Sequence, residues 1–255
     1  MALTDQFSAF AQWRGDVSHS IQHLRAWLTN NDVGDTQSDM RLQYVLDRLK
    51  EEKLVVAFVA EFSRGKSELI NAIFFSDYRT RILPSSAGRT TMCPTELQWE
   101  NGQQPGIRLL PIETRARAES VAELRRIESE WVMQPIDLDD TEGMQRALSR
   151  VSETKRVPRE EAVRLGFQVD DSGVDGAKPD AEGLVEVARW RHAIIQFPHP
   201  LLEQGLVIVD TPGLNAIGSE PELTLSLLPN AHAVLFILAA DTGVTQSDLT
   251  VWQKH

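Results

Sequence analysis

The sequence predicts an α/β fold in which a mixed, mostly parallel sheet carries helices on both faces and follows an N-terminal helical hairpin. Three apolar runs predict strands of this sheet: KLVVAFVA (53–60), LVIVD (206–210) and AVLFILAA (233–240). An uninterrupted apolar run is typical of a strand that is buried on both faces. Helical patterns follow the first and the third run, and this alternation of strand and helix indicates a largely parallel sheet.

Two helices are predicted before the first strand, over residues 5–29 and 37–52. Thr36, with Asp39 three residues later, resembles a capping box for the second helix. Each helix has one apolar stripe: Phe7, Phe10, Val17, Ile21, Leu24 and Leu28 on the first, and Leu42, Val45, Leu46 and Leu49 on the second. The pair cannot bury both stripes alone, so the hairpin either packs on the main domain or belongs to a helical bundle or stalk. We expect residues 1–52 to form this segment and residues 53–255 to form the main domain.

The middle of the chain predicts more strands and a long charged region. TELQWE (95–100) and GIRLLPI (106–112) alternate like two strands joined by the turn NGQQPG, and RWRHAIIQF (189–197) predicts another. Residues 114–166 have a charged helical pattern, and residues 169–183 predict a polar loop.

Composition narrows the class of protein. The 255 residues include 26 basic and 37 acidic side chains, and the net charge of −11 argues against non-specific binding to nucleic acid. The single cysteine, Cys93, excludes an internal disulfide and suits a reducing cytosol. The longest apolar run is far shorter than the ~20 residues of a membrane span. We expect a cytoplasmic protein with any membrane contact peripheral. The six histidines show no metal-ligand spacing, so we interpret them as surface or packing residues and expect no metal cluster.

The stretch AEFSRGKSELINAIF (60–74) has the features of a phosphate-binding loop that leads into a helix. In the pattern G-x-x-x-x-G-K-[ST], backbone N–H groups surround phosphate oxygens, the lysine reaches the β- and γ-phosphates, and the hydroxyl holds Mg²⁺. Gly65, Lys66 and Ser67 match this pattern, whereas Ala60 replaces its first glycine. We expect this small side chain to be tolerated unless the position needs a positive φ.

A second motif follows another predicted strand. Asp210, Thr211, Pro212 and Gly213 stand directly after the apolar run at 206–209. In P-loop GTPases a D-x-x-G motif here holds Mg²⁺, usually through water, and presents the glycine N–H to the γ-phosphate. A loop between the two motifs can supply a threonine to Mg²⁺ when the γ-phosphate is present. Three threonines compete for that role on chemistry alone: Thr90, Thr91 and Thr95.

Together, EFSRGKS, T-x-x-P-T and DTPGL make residues 54–255 similar to the dynamin superfamily, and in particular to the bacterial dynamin-like GTPases. The resemblance implies a P-loop, Ras-like fold in which Lys66 binds the β- and γ-phosphates. It implies that Thr91, three residues before Pro94, ligates Mg²⁺ together with Ser67, and that Ser63 helps hold a monovalent cation. The implied catalytic residues are Lys66, Thr91 and Ser63, and the implied metal ligands are Ser67, Thr91 and Asp210. The implied nucleotide-binding residues are Glu61, Phe62, Ser63, Arg64, Gly65, Lys66, Ser67, Glu68, Thr91, Asp210 and Gly213.

Position 214 bears on catalysis. Ras-like GTPases have a glutamine there that orients the attacking water, whereas Leu214 has no polar group for this task. The water must be held by a backbone group, by Thr91 or by a cation near Ser63, and the family completes such sites by self-association through the nucleotide face. The resemblance therefore implies a protein that hydrolyses GTP with Mg²⁺, self-assembles and remodels membrane. Two alternatives stay open: a P-loop GTPase or ATPase in assembly or repair without a membrane role, and a non-catalytic nucleotide-sensing scaffold.

The family resemblance also implies that sequence follows residue 255. The base-reading Asn/Thr-Lys-x-Asp motif and the last two strands of this fold lie after AVLFILAA, so we expect a C-terminally truncated domain whose membrane-binding part would follow. In the Ras-like strand order 2-3-1-4-5-6, residues 54–60, 206–210 and 233–240 supply strands 1, 3 and 4. Strand 4 then becomes the sheet edge, and its unpaired backbone groups predict low solubility. Weak GTP binding is expected as well, because guanine lacks its acidic partner.

Overall fold

The computed structural model describes residues 3–31, 33, 35–50, 53–61, 64–78, 81–83, 93–167, 169, 179–212, 228–240 and 243–254. The helices are α1 (Leu3–Asn30), α2 (Thr36–Lys50), α3 (Lys66–Phe74), α4 (Val121–Leu124), α5 (Thr141–Ser149), α6 (Arg159–Arg164), α7 (Pro200–Glu203) and α8 (Gln246–Lys254). The strands are β1 (Leu54–Ala60), β2 (Thr95–Gln98), β3 (Gly106–Pro111), β4 (Val132–Pro135), β5 (Thr154–Pro158), β6 (Leu184–Ala188), β7 (Trp190–Gln196), β8 (Leu206–Asp210) and β9 (Ala233–Ile237).

The N-terminal hairpin forms as predicted, with a different cap. Arg25 joins its two helices, since Nε donates to Asp39 Oδ1 at 2.8 Å and Nη1 donates to Gln43 Oε1 at 2.5 Å. The predicted cap at Thr36 is wrong. Asp35 caps α2 instead, because its Oδ1 accepts a hydrogen bond from the Ser38 N–H at 2.8 Å. A carboxylate one residue earlier reaches the N3 amide, which is the usual partner of an N-cap side chain.

The apolar stripes of the hairpin are partly exposed. Phe10 and Leu24 on α1 are 51% and 46% exposed, and Val45 on α2 is 41% exposed, whereas Leu46 is buried. The two helices therefore bury only part of the predicted stripes. The division of the chain at residue 52 stays a prediction.

One seven-stranded sheet has the order β4-β3-β7-β2-β8-β1-β9. β1 pairs in parallel with both β8 and β9, and β2 runs antiparallel to β8. The predicted neighbours of β1 are therefore confirmed, and β9 is the last strand of the sheet among the described residues. Leu235 in β9 is 43% exposed, as an edge position allows.

Helices and loops cover both faces of this sheet, as predicted. Ala193 and Ile195 of β7 belong to the larger core, which includes Ile70 of α3 and Met144 of α5. Ile194, between them in sequence, belongs to a second cluster with Leu110, Leu124 and Trp131. Neighbouring residues of one strand point to opposite faces, so β7 is buried from both sides.

Two predictions about the middle of the chain are wrong. β2 and β3 are strands but do not form a hairpin, because β7 lies between them and pairs with both. The alternation of apolar residues identifies a strand without specifying its partner. The region 114–166 is not wholly helical, since it contains β4 and β5, and β5 pairs with the unpredicted β6 in a separate two-stranded sheet. Among the described residues, no helix is long and apolar enough to cross a membrane.

Candidate nucleotide-binding site

The candidate phosphate loop lies between β1 and α3. Gly65 is the N-cap of α3 and has a φ of 83°, a left-handed conformation that glycine adopts without steric strain. Lys66 and Ser67 follow as the first two helical residues, and both are buried. The first N–H groups of a helix lack partners within the helix, so this end of α3 favours an anion.

Ala60 has an ordinary strand backbone. It is the last residue of β1, its partner in β9 is Ile237, and it is fully buried. A residue within this ladder does not need a positive φ, so the replacement of glycine by alanine places no strain on the backbone. The prediction that Ala60 is tolerated therefore has a structural reason.

Lys66 and Asp210 meet at the end of the two central strands. Asp210 is the last residue of β8 and lies opposite Phe58 of β1. The Lys66 ammonium contacts Asp210 Oδ1, and the two residues are only 8% and 7% exposed. Burial lowers the pKa of Lys66 to about 7, whereas the adjacent carboxylate favours the charged ammonium. The structure thus brings together the predicted phosphate-binding cation and the predicted metal-binding carboxylate.

Thr211 fixes the chain just after Asp210. Its Oγ1 donates to the Phe58 carbonyl at 2.8 Å, and its side chain is fully buried. This bond joins the ends of β8 and β1, and so fixes the carboxylate relative to the loop. The sequence places Thr211 in the D-x-x-G motif without indicating this contact.

The N-terminus of α8 contacts the candidate loop through Glu61. Arg64 Nη2 lies 2.5 Å from Glu61 Oε2, and Thr245 Oγ1 donates to Glu61 Oε1 at 2.6 Å. The Thr245 N–H in turn donates to Asp248 Oδ2 at 2.8 Å. A Thr-x-x-Asp spacing before a helical pattern is a capping signal, and it could have identified Thr245 and Asp248 from the sequence.

Asn71 holds the chain segment that precedes residues 84–92. Its Oδ1 accepts hydrogen bonds from the Ile82 and Leu83 N–H groups at 3.0 and 2.8 Å, and its Nδ2 donates to the Leu83 carbonyl at 3.0 Å. Asn71 is 7% exposed. In the sequence, the signal for this role is an asparagine among the apolar residues of the predicted helix.

The segment that follows residues 84–92 is fixed by β7 and by a buried ion pair. The Ala193 N–H donates to the Pro94 carbonyl at 3.0 Å. Glu96 Oε1 accepts from His192 Nε2 at 2.9 Å and also contacts the Arg125 guanidinium. Burial acts to raise the pKa of Glu96, but the His192 hydrogen bond and the Arg125 charge hold it at about 2. The sequence did not predict this cluster.

Of the remaining predicted residues, two have side-chain contacts in the structure and the others lie outside the described residues. Glu68 is partly exposed and forms an ion pair with Arg81 at 3.0 Å. Thr95 is buried opposite Asp210, and its Oγ1 donates to the Cys93 carbonyl at 3.2 Å. Six residues named in the sequence analysis lie outside the described residues: Phe62, Ser63, Thr90, Thr91, Gly213 and Leu214.

Comparison with known proteins decides the family. The sequence pattern of the dynamin family matches residues 56–255, which contain the candidate loop, β8 and α8. The chain belongs to the dynamin family. A bacterial dynamin-like protein of Nostoc punctiforme is 41% identical over 54 residues, which are 21% of this chain and 8% of that protein. Isoniazid-induced protein IniA of Mycobacterium tuberculosis is 38% identical over 90 residues, which are 34% of this chain and 13% of that protein.

Two solved structures of bacterial dynamins also resemble this dynamin-family chain. Both are described as an oligomerised pair that provides a mechanism for the long-range sensing and tethering of membranes. They have TM-scores of 0.46 and 0.47 at 15% and 16% sequence identity, and each match covers 96% of this chain and 30% of the other. The chain therefore spans less than a third of these structures, and it matches only a small part of the curated relatives.

The donor groups of the dynamin-family site suit a hard cation. Ser67 offers a hydroxyl from the first turn of α3, Asp210 offers a carboxylate at the end of β8, and both residues are buried. Oxygen donors of this kind, completed by water and phosphate oxygens, are the ligands that Mg²⁺ prefers. The residues present therefore fit Mg²⁺ bound together with a nucleotide.

Proposed function

We propose that this protein binds and hydrolyses GTP with Mg²⁺ and couples hydrolysis to self-assembly. One observation carries the proposal: Lys66, at the N-terminus of α3, contacts Asp210 at the end of the neighbouring strand in a chain of the dynamin family. The pair combines a cation for phosphate with a carboxylate for a metal. Membership of the dynamin family favours guanine as the base.

In this proposal each group has one task. The amides that follow Gly65 would bind the phosphates, and the Lys66 ammonium would bind the β- and γ-phosphates. Asp210, Ser67 and Thr91 would hold Mg²⁺. Mg²⁺ would neutralise the charge that develops on the phosphate oxygens. Gly213 would offer its N–H to the γ-phosphate, and Ser63 would help hold a monovalent cation.

Leu214 is the reason to propose self-association. A leucine cannot orient the attacking water, so the isolated monomer is expected to hydrolyse GTP slowly. Contact between two nucleotide faces would place further groups around the γ-phosphate. We propose that such contact raises turnover, and that the protein works in the cytoplasm and at membrane surfaces that it remodels.

The test is Mg²⁺-dependent phosphate release from GTP, measured per molecule over a range of protein concentrations. We expect turnover that requires Mg²⁺ and rises with concentration. Turnover that is independent of concentration across the association range would contradict the coupling to self-assembly. Faster turnover of ATP would support an ATPase, and absence of turnover despite GTP binding would support a nucleotide-sensing scaffold.

A membrane role needs its own measurement. Co-sedimentation with vesicles, with and without GTP, tests whether the protein binds lipid when it assembles. Assembly in the absence of any lipid binding would support the alternative role in assembly or repair.

A further inference from the structure

His19 and His23 form a pair on the surface of α1. They are four residues apart, both side chains are exposed, and their ring centres lie 4.2 Å apart with the planes tilted by 50°. From the sequence, both are expected to be ordinary surface or packing residues. Residues at i and i+4 lie one above the other on a helix, so the backbone itself brings the two imidazoles together.

The spacing suits one ion shared by two imidazoles. Transition-metal ions bind histidine nitrogen at about 2.0–2.1 Å, so two nitrogens on one ion can be up to about 4 Å apart. Rings whose centres are 4.2 Å apart meet this condition after small rotations of exposed side chains. Water can fill the other coordination positions, because the pair faces solvent.

The charges around the pair permit a cation. Asp16 precedes His19 by three residues and so lies on the same side of α1. Arg25 points the other way, because it bonds with Asp39 and Gln43 of α2. Neither arginine of α1 is three or four residues from either histidine.

We propose that His19 and His23 form a two-ligand site for a divalent transition-metal ion such as Ni²⁺, Cu²⁺ or Zn²⁺. Imidazole suits these ions, whereas Mg²⁺ and Ca²⁺ prefer oxygen ligands. The site is separate from the proposed nucleotide site and does not depend on it. An ion that joins i and i+4 also fixes one turn of α1, so its binding stabilises the helical hairpin.

The test is titration of the untagged protein with Ni²⁺ by calorimetry, without nucleotide. The matched control is the double variant His19→Gln with Gln22→His, which keeps all six histidines but places two of them side by side at 22 and 23, where they cannot share an ion. We expect one Ni²⁺ per chain in the unaltered protein and at least tenfold weaker binding in the double variant. Equal affinity in the two proteins would overturn the proposal.

The thermal stability of the helices provides a second test of the proposed metal site. Saturating Ni²⁺ should raise the Tm of the helical circular dichroism signal in the unaltered protein. Mg²⁺ at the same concentration should cause no rise that depends on His19 and His23. The double variant should show no Ni²⁺-dependent rise. A rise of the same size in both proteins would place the ion elsewhere and would contradict the site.

Discussion

The ammonium of Lys66 contacts the carboxylate of Asp210, although the two residues are 144 positions apart in the sequence and belong to different motifs. Parallel pairing of β1 with β8 makes this possible, because the two strands end at the same edge of the sheet. Each group neutralises the other while both are buried. In the proposed function Lys66 serves the phosphates and Asp210 serves Mg²⁺, so this edge of the sheet holds both of these groups together.

Replacement of Ala60 by glycine should leave nucleotide affinity nearly unchanged. Ala60 has a strand backbone, pairs with Ile237 and is fully buried, so glycine relieves no strain. Titration with a fluorescent GTP analogue checks this. A gain above tenfold, about 1.4 kcal/mol, would show that the alanine is a defect of the loop.

Asn71→Ala should lower the free energy of unfolding by at least about 2 kcal/mol, because it leaves two buried N–H groups and one carbonyl without partners. The matched control is Ile73→Ala, which removes the same number of heavy atoms from an exposed position of α3. Urea denaturation compares the two variants. An equal or larger loss in the control would contradict the anchoring role of Asn71.

Glu96→Gln should make the free energy of unfolding less dependent on pH in the range from about 4.5 to 2. The pKa of Glu96 falls from 4.5 to about 2 on folding, so its ionised form stabilises the folded state above pH ~4.5 and this contribution is lost as the pH falls towards 2. The shift corresponds to about 3 kcal/mol at neutral pH.

Urea denaturation at several pH values between 2 and 7 measures this effect. The unaltered protein should be more stable than Glu96→Gln at pH 7, and the difference should shrink between pH 4.5 and 2. The control is Glu119→Gln, at an exposed position. A difference that stays constant over this range would mean that Glu96 is not held ionised by His192 and Arg125.

Leu235→Lys should reduce self-association of the 255-residue chain, when it is studied alone, through the β9 side of the sheet. Among the described residues β9 is an edge strand; its residues are apolar, with no charge, proline or glycine, and Leu235 is 43% exposed. A lysine on such a strand disfavours pairing with a second chain. Sedimentation analysis at matched concentrations compares it with Leu249→Lys, which alters a similarly exposed leucine of α8. Equal association in both variants would exclude the edge as the contact.

The central strands and the candidate loop were predictable because each leaves a local pattern in the sequence. β1, β8 and β9 are apolar runs, and Gly65, Lys66 and Ser67 follow a known spacing. The position of β7 between β2 and β3 was not predictable, since side-chain alternation does not identify a partner strand. The roles of Asn71 and the Glu96–His192 pair, and the contact of Thr245 with Glu61, were missed because the partners are distant in sequence. The pairing of the His19 and His23 rings is the opposite case, because a spacing of four residues on a predicted helix already places both side chains on one side of it.

Binding of a fluorescent GTP analogue to Lys66→Ala, in the presence of Mg²⁺, tests the central claim most directly. The control is Lys53→Ala, which removes the same charge just before β1, at the opposite end of that strand from the loop, where Lys53 pairs with Glu100. The account predicts that Lys66→Ala weakens binding more than tenfold while Lys53→Ala binds like the unaltered protein. Unchanged affinity in a folded Lys66→Ala variant, with its folding verified by circular dichroism, would contradict the assignment of residues 60–67 as the phosphate-binding loop.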